Sequence, residues 1–273
     1  ELGWRPKPYG EGIFQGSRAV SIQHNSKGFR DKERSEKTKP RMLALGDSFV
    51  WGYDVEQDER FTELVQNRMP ALEILNLGVS GYGTDQEYLL LKKEWDSYQP
   101  NIVFLVFTGR NDFLDNRTNL RHRFYFKPYF ENVGNEIQLR GVPVEKTPVY
   151  FLQSPPWSLL RSSLLVQDLI TLYVDAKKIR VFNPTFGILR KLNDLTKTHG
   201  ATLIIGLVDN SKSVAEFAIS EKIPFLRLKN EFEYPSHGSH WTPEGHQFVS
   251  DKLFTLLSKA GWGASSEELK LTP

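Results

Sequence analysis

The 273-residue chain carries 35 Lys and Arg against 33 Asp and Glu, a near balance that excludes the basic field of a nucleic-acid binder. It contains no cysteine, which excludes disulfides, thiolate nucleophiles and cysteine-held metal. Hydrophobic residues make up 39%, enough for a sizeable core, yet no apolar run approaches the ~18 residues that span a bilayer.

The chain begins at Glu1 rather than Met, which is compatible with an extracytoplasmic protein or one anchored through a preceding segment. Compartment and oligomeric state stay open at this stage. Residues 1–40 are polar, rich in Gly, Lys and Arg, and lack periodicity. They are expected to form an N-terminal arm on the surface, with Gly28-Phe29-Arg30 as its docking point. Beyond Pro40, over residues 41–273, short apolar runs alternate with helix-period stretches, the signature of βαβ units and a mostly parallel sheet.

Met42–Leu45 is the first expected strand, closing on Gly46-Asp47-Ser48. A helix follows near Glu59, with Phe61, Leu64, Val65 and Met69 on one face. Leu72–Leu77 is the second strand and runs into a Gly-rich turn through Gly83. Thr84 and Glu87 have the spacing of a capping box for a helix reaching about Tyr98. Ile102–Phe107, continuously apolar, is expected to be buried on both faces.

Residues 113–180 break this rhythm with aromatic and basic residues and five prolines, and are expected to be an insertion in the domain. Within it, the stretch from Arg117 to Phe130 suits sugar stacking or, equally, the anchoring of a long loop. Regular texture returns with a helix over 184–198, a strand Ala201–Leu207, a helix near 211–220 and a strand Phe225–Leu228. Thr242-Pro243 opens the final helix.

In open parallel sheets, ligands bind outside the carboxyl ends of the strands. That rule selects Ser48, Gly81, the run Gly109-Arg110-Asn111-Asp112, and the segment His237-Gly238-Ser239-His240. These residue types suit acyl transfer. A serine at a strand-to-helix turn exposes its hydroxyl, glycine lets a backbone N–H approach an oxyanion, and an asparagine amide adds a donor. A histidine can take the serine proton and return it to the leaving group. His237, His240 and His246 raise the question of a metal, but His246 falls inside the last helix and no clear carboxylate ligand accompanies the three. The expectation is no metal and no cofactor.

Gly46-Asp47-Ser48, the run from Asn76 to Gly81, Gly109-Arg110-Asn111-Asp112 and His240 together resemble the SGNH, or GDSL, hydrolases. The resemblance runs from about residue 41 to the final helix. It implies an α/β fold, a three-layer α/β/α flavodoxin-like domain with a mostly parallel five-stranded sheet. It also implies Ser48 as nucleophile and His240 as base, with an oxyanion hole formed by Ser48 N–H, Gly81 N–H and the Asn111 side chain. Family members usually carry an aspartate three residues before the histidine, where this chain has His237. The base would then work in a dyad or borrow a carboxylate such as Asp209, Glu231 or Glu233.

The expected activity is serine-dependent hydrolysis of a small acyl ester, acetyl on a carbohydrate being the favoured substrate. An O-acetyltransferase acting on a sugar and a non-catalytic carbohydrate-binding protein with a degraded triad are the alternatives. The expected partner is a small-molecule or carbohydrate acyl ester, with no nucleic acid.

Overall fold

The first forty residues hold regular structure that their polar pattern conceals. In the computed structural model, which describes residues 1–153, 155–235 and 238–262, β1 (Glu11–Gln15) and β2 (Ala19–Gln23) pair as an antiparallel hairpin. Phe29 and Arg30 are buried. The Arg30 guanidinium donates to the carbonyl oxygens of Gly52 at 2.5 Å, Val55 at 2.7 Å and Ser21 at 3.0 Å. A buried charge is tolerated only with such partners. Burial, and after it the neighbouring Arg60, push the group down to about 9, so it stays cationic at neutral pH.

From residue 41 the chain alternates strand and helix: β3 (Arg41–Leu45), α1 (Ser48–Trp51), α2 (Phe61–Arg68), β4 (Glu73–Asn76), α3 (Thr84–Tyr98), β5 (Ile102–Phe107) and α4 (Gly109–Asp115). Two small hairpins follow, β6 (Leu120–Arg121) with β7 (Tyr125–Phe126), and β8 (Tyr129–Val133) with β9 (Glu136–Arg140). Next come α5 (Pro148–Phe151) and α6 (Leu164–Lys177). The alternation resumes with α7 (Thr185–Thr198), β10 (Thr202–Leu207), α8 (Lys212–Ser220), β11 (Phe225–Arg227) and α9 (Pro243–Lys259).

β4, β3, β5, β10 and β11 lie side by side in that order, all parallel. Numbered by appearance within this sheet the order is 2-1-3-4-5, the flavodoxin-like arrangement, and its direction reverses between β3 and β5. Strand side chains alternate between two faces. Leu43, Leu45, Val103, Leu105, Phe107, Leu203 and Ile205 pack against α3, α7 and α8. Met42, Ala44, Ile102, Phe104, Val106 and Ile204 pack against α2 and α9. Each fully buried side chain of this kind contributes roughly 1.5–3 kcal/mol relative to exposure. The three-layer α/β/α fold follows from this double burial.

The capping box expected at α3 needs correction. Thr84 is the first helical residue of α3 and not its cap. Gly83 holds that position, with Gln86 Oε1 accepting the Gly83 N–H at 3.4 Å. Glu87 faces inward and is buried. At α9 the expected start holds: Thr242 caps, its Oγ1 accepting the Gly245 N–H at 3.3 Å, and Pro243 follows. Among the described residues no helix is long and apolar enough to cross a membrane.

Candidate active site

β3 ends at Leu45 and turns through Gly46 and Asp47 into α1. Asp47 caps this helix, its Oδ1 accepting the Phe49 N–H at 3.0 Å, which makes Ser48 the first helical residue at the carboxyl edge of the sheet. The loop after β4 presses directly on α1. A Cβ at Gly78 would run into the Val50 and Trp51 backbone, so only glycine permits the approach. Asn76 locks the contact, donating through Nδ2 to Val50 O at 2.6 Å and accepting the Gly78 N–H at 3.0 Å.

The other blocks converge on the same rim. Asn111, in α4, donates through Nδ2 to Asp47 Oδ2 at 2.9 Å. An amide carries two N–H groups, so this bond fixes the Asn111 side chain and leaves its second N–H for a ligand. Asp112 ties the turn down by accepting the Thr108 N–H at 2.7 Å and the Thr84 N–H at 3.1 Å. His240 arrives from the loop before α9, and its Nε2 lies 2.7 Å from Ser48 Oγ. Segments distant in sequence thus meet at the Ser48 turn: the loop after β4 against α1, Asn111 on Asp47, and His240 on the Ser48 hydroxyl. His237 lies outside the described residues.

Of the carboxylates considered for orienting His240, Asp209 is engaged elsewhere, accepting the Arg110 N–H at 2.9 Å and the Ser211 N–H at 3.2 Å. Glu231 is exposed, and Glu233 forms a backbone bridge to Trp241. His246 stands apart from the rim. It is buried in α9, its Nδ1 accepts the Phe61 N–H at 3.3 Å, and burial pushes it down to about 3. It is a neutral packing residue at physiological pH.

Two side chains beside the site escaped the sequence reading of roles. Gly81 has φ +83°, and a Cβ there would strike Nε2 of His122, which comes from the tip of the β6–β7 hairpin. The rings of His122 and Tyr125 each lie 6.2 Å from that of Trp4. Tyr53 stacks on His240 with ring centroids 4.1 Å apart and an interplanar angle of 19°. The signal for His122 was its place in the aromatic and basic stretch after Arg117. Tyr53 had none beyond its nearness to Ser48.

Behind the rim lies a buried group of acids. Asp47, Asp85, Glu87, Asp112 and Asp115 are all buried, and Lys127 forms a fully buried ion pair with Asp85. Desolvation, then Asp112, Asp47, Asp85 and Asp115, hold the Glu87 carboxyl well above its ordinary value. A carboxyl raised in the folded state supports folding at low pH and loses that contribution as pH rises through its folded-state value. Glu87→Gln removes the charge at nearly constant volume. It is expected to raise the melting temperature by about 2–4 °C at pH 9, with the gain shrinking toward pH 5. Thermal unfolding across that range measures it, and a variant less stable at every pH would mean the carboxylate is favourably paired.

A model of the GDSL-like lipase/acylhydrolase family matches residues 44–248. No curated protein matches the sequence. Similar solved structures include a member of the lipolytic protein G-D-S-L family from Veillonella parvula, 14% identical over 80% of this chain and 98% of that one, with a TM-score of 0.47. A GDSL-like lipase from Bacteroides thetaiotaomicron is 15% identical over 84% and 93%, with a TM-score of 0.45. The psychrotrophic esterase EstA from a Pseudoalteromonas species, in a structure inhibited by monoethylphosphonate, is 11% identical over 81% and 98%, with a TM-score of 0.47. With the family match covering most of its length, the chain belongs to the GDSL-like lipase/acylhydrolase family and is an ester hydrolase.

Proposed function

We propose that the chain removes a small acyl group, acetyl in the favoured case, from a carbohydrate ester through an acyl-enzyme on Ser48. The observation that carries this reading is the 2.7 Å contact between His240 Nε2 and Ser48 Oγ, with the Asn111 amide fixed nearby by Asp47. Ser48 Oγ attacks the acyl carbon while its proton passes to His240 Nε2. The carbonyl electron pair moves to oxygen, and the N–H groups of Ser48, Gly81 and Asn111 meet the resulting charge. Collapse of the intermediate expels the sugar alkoxide, which takes the proton from His240. Water then repeats the sequence on the acyl-enzyme, giving up its proton to His240, and the acid leaves as Ser48 recovers its hydrogen.

Two features support the substrate class. His122 fills the space beside Gly81, which favours a short acyl group over a long chain. Burial and then Arg121 hold His122 below its ordinary value, so it is a neutral wall at physiological pH. Beside it, Trp4 and Tyr125 present aromatic rings of the kind on which sugar faces stack. The test is acetate release from an acetylated oligosaccharide, compared with hydrolysis of p-nitrophenyl octanoate. Higher kcat/KM on the acetylated sugar is the expected result, and a preference for octanoate would overturn the small-acyl reading. Adding an acceptor sugar separates the two acyl-transfer outcomes: free acetate identifies hydrolysis, and a newly acetylated sugar identifies transfer.

A further inference from the structure

We propose that Tyr53 is a positioning residue for His240, holding the imidazole edge-on to Ser48 and stabilising the imidazolium through its ring face. This inference rests on the serine–histidine reading of the site. The two rings are nearly parallel, 4.1 Å apart at their centroids, with Phe49 on the same imidazole at 5.0 Å. A cation over the face of tyrosine within about 6 Å is attracted by the ring quadrupole, more strongly when the pair is desolvated. The imidazole becomes such a cation each time it accepts the serine proton, so the stack is worth more in the transition state than at rest.

The surroundings give this stack a task. Among the described residues, the elements around His240 carry several charged groups, Arg110, Arg30, Arg60, Asp54 and Asp47 among them. Arg110 packs over Phe49 at 5.2 Å and donates to Ser239 O at 3.2 Å. Arg30 and Arg60 lie close enough, with His240 itself, to depress His246. Asp54 Oδ1 is taken by the Ser17 N–H at 2.8 Å, and Asp47 by Phe49 and Asn111. The Asp54 and Asp47 carboxyl groups are thus committed to N–H donors. The Tyr53 ring face adds a stabilising contact on the imidazole itself.

Tyr53 is itself held rigidly. Its N–H donates to Ser48 O at 3.1 Å, which ties it to the helix that carries the nucleophile. Phe14 of β1 meets its ring edge-on at 4.5 Å. Arg30 binds the carbonyls of Gly52 and Val55 on either side, and Asp54 binds the turn between β1 and β2. The hairpin and Arg30 therefore grip the 51–55 loop from outside, and the loop presents Tyr53 to the base.

The experiment compares wild type, Tyr53→Phe and Tyr53→Leu, each checked for folding by circular dichroism. Tyr53→Phe keeps the ring face and is expected to stay within about threefold of wild-type kcat on p-nitrophenyl acetate. Tyr53→Leu is expected to lower kcat by about tenfold with KM little changed, and to move the acidic limb of the kcat/KM profile to lower pH. In parallel, an NMR titration of the His240 ring, which needs no turnover, is expected to show its midpoint about half a pH unit lower in Tyr53→Leu. An unmoved midpoint, or a Phe variant as impaired as the Leu variant, overturns the proposal. Turnover that survives Ser48→Ala defeats the serine–histidine reading instead, and the titration still decides whether the stack holds a charged ring.

Discussion

Ser48→Ala is expected to lower turnover of p-nitrophenyl acetate by about 10⁴-fold or more, with the fold intact. The size follows from the role: His240 Nε2 meets the Ser48 hydroxyl, and without that oxygen the covalent route closes. Stability should change by less than about 1 kcal/mol, because the helix is capped by the Asp47 carboxylate and not by the serine hydroxyl. What Ser48 loses is one contact, its Oγ to His240 Nε2. Steady-state kinetics on the purified variant, with unfolding curves for both proteins, measure both quantities. A variant retaining a tenth of wild-type activity would show that a different nucleophile, or water activated directly, carries the reaction.

The second large effect is expected at Asn111. Asn111→Ala should reduce kcat by about 10²–10³ while KM changes little, since an oxyanion donor acts on charge that exists only in the transition state. The same change strips Asp47 of its partner at 2.9 Å. Burial already raises the Asp47 carboxyl, and losing a donor would raise it further. Asn111→Asp should therefore be as inactive as the alanine variant and less stable, because it sets a second carboxyl group against the buried Asp47 carboxyl. A loss of less than tenfold in Asn111→Ala would mean that the backbone N–H groups of Ser48 and Gly81 hold the oxyanion unaided.

How much of this could be read from the chain depends on where each side chain spends its surface. β5 was legible because a strand covered on both faces must be apolar throughout, and Ile102–Phe107 is. α9 was legible because Thr242-Pro243 marks its start and Val249, Leu253 and Leu257 line one face. β1 was not, since Ile13 stays 65% exposed and Phe14 alone turns partly inward, and β2 alternates over only five residues, Val20 and Ile22 against Ser21 and Gln23. α6 was missed for the opposite reason. Its buried Ile170 and Val174 are outnumbered by exposed Leu164, Leu165, Leu169 and Leu172, so its apolar residues do not mark the packed face.

The site divides in the same way. Ser48, Gly81, Asn111 and His240 could be picked out because strand ends tell where a parallel sheet gathers ligands. Tyr53 and His122 reach the same place through turn geometry, with Asp54 at φ 67° and His122 at φ 47°. Left-handed conformations occur at only a few per cent of non-glycine residues, and an Asp or His favours them too weakly to place such a turn from sequence. The Glu87 carboxyl misled because a carboxylate three residues past a threonine fits a capping box, yet its burial among other acids decides its fate.

The family match begins at residue 44, yet Phe14, Ser17 and Arg30 lie ahead of it and grip the loop that bears Tyr53. A gene cut at residue 40, just ahead of β3, would keep every strand-end residue and the whole five-stranded sheet, and would lose the outer half of the clamp on its base. The inherited module and the working enzyme therefore have different edges. Rate could be tuned by drift in the first forty residues, with Ser48, Gly81, Asn111 and His240 unchanged.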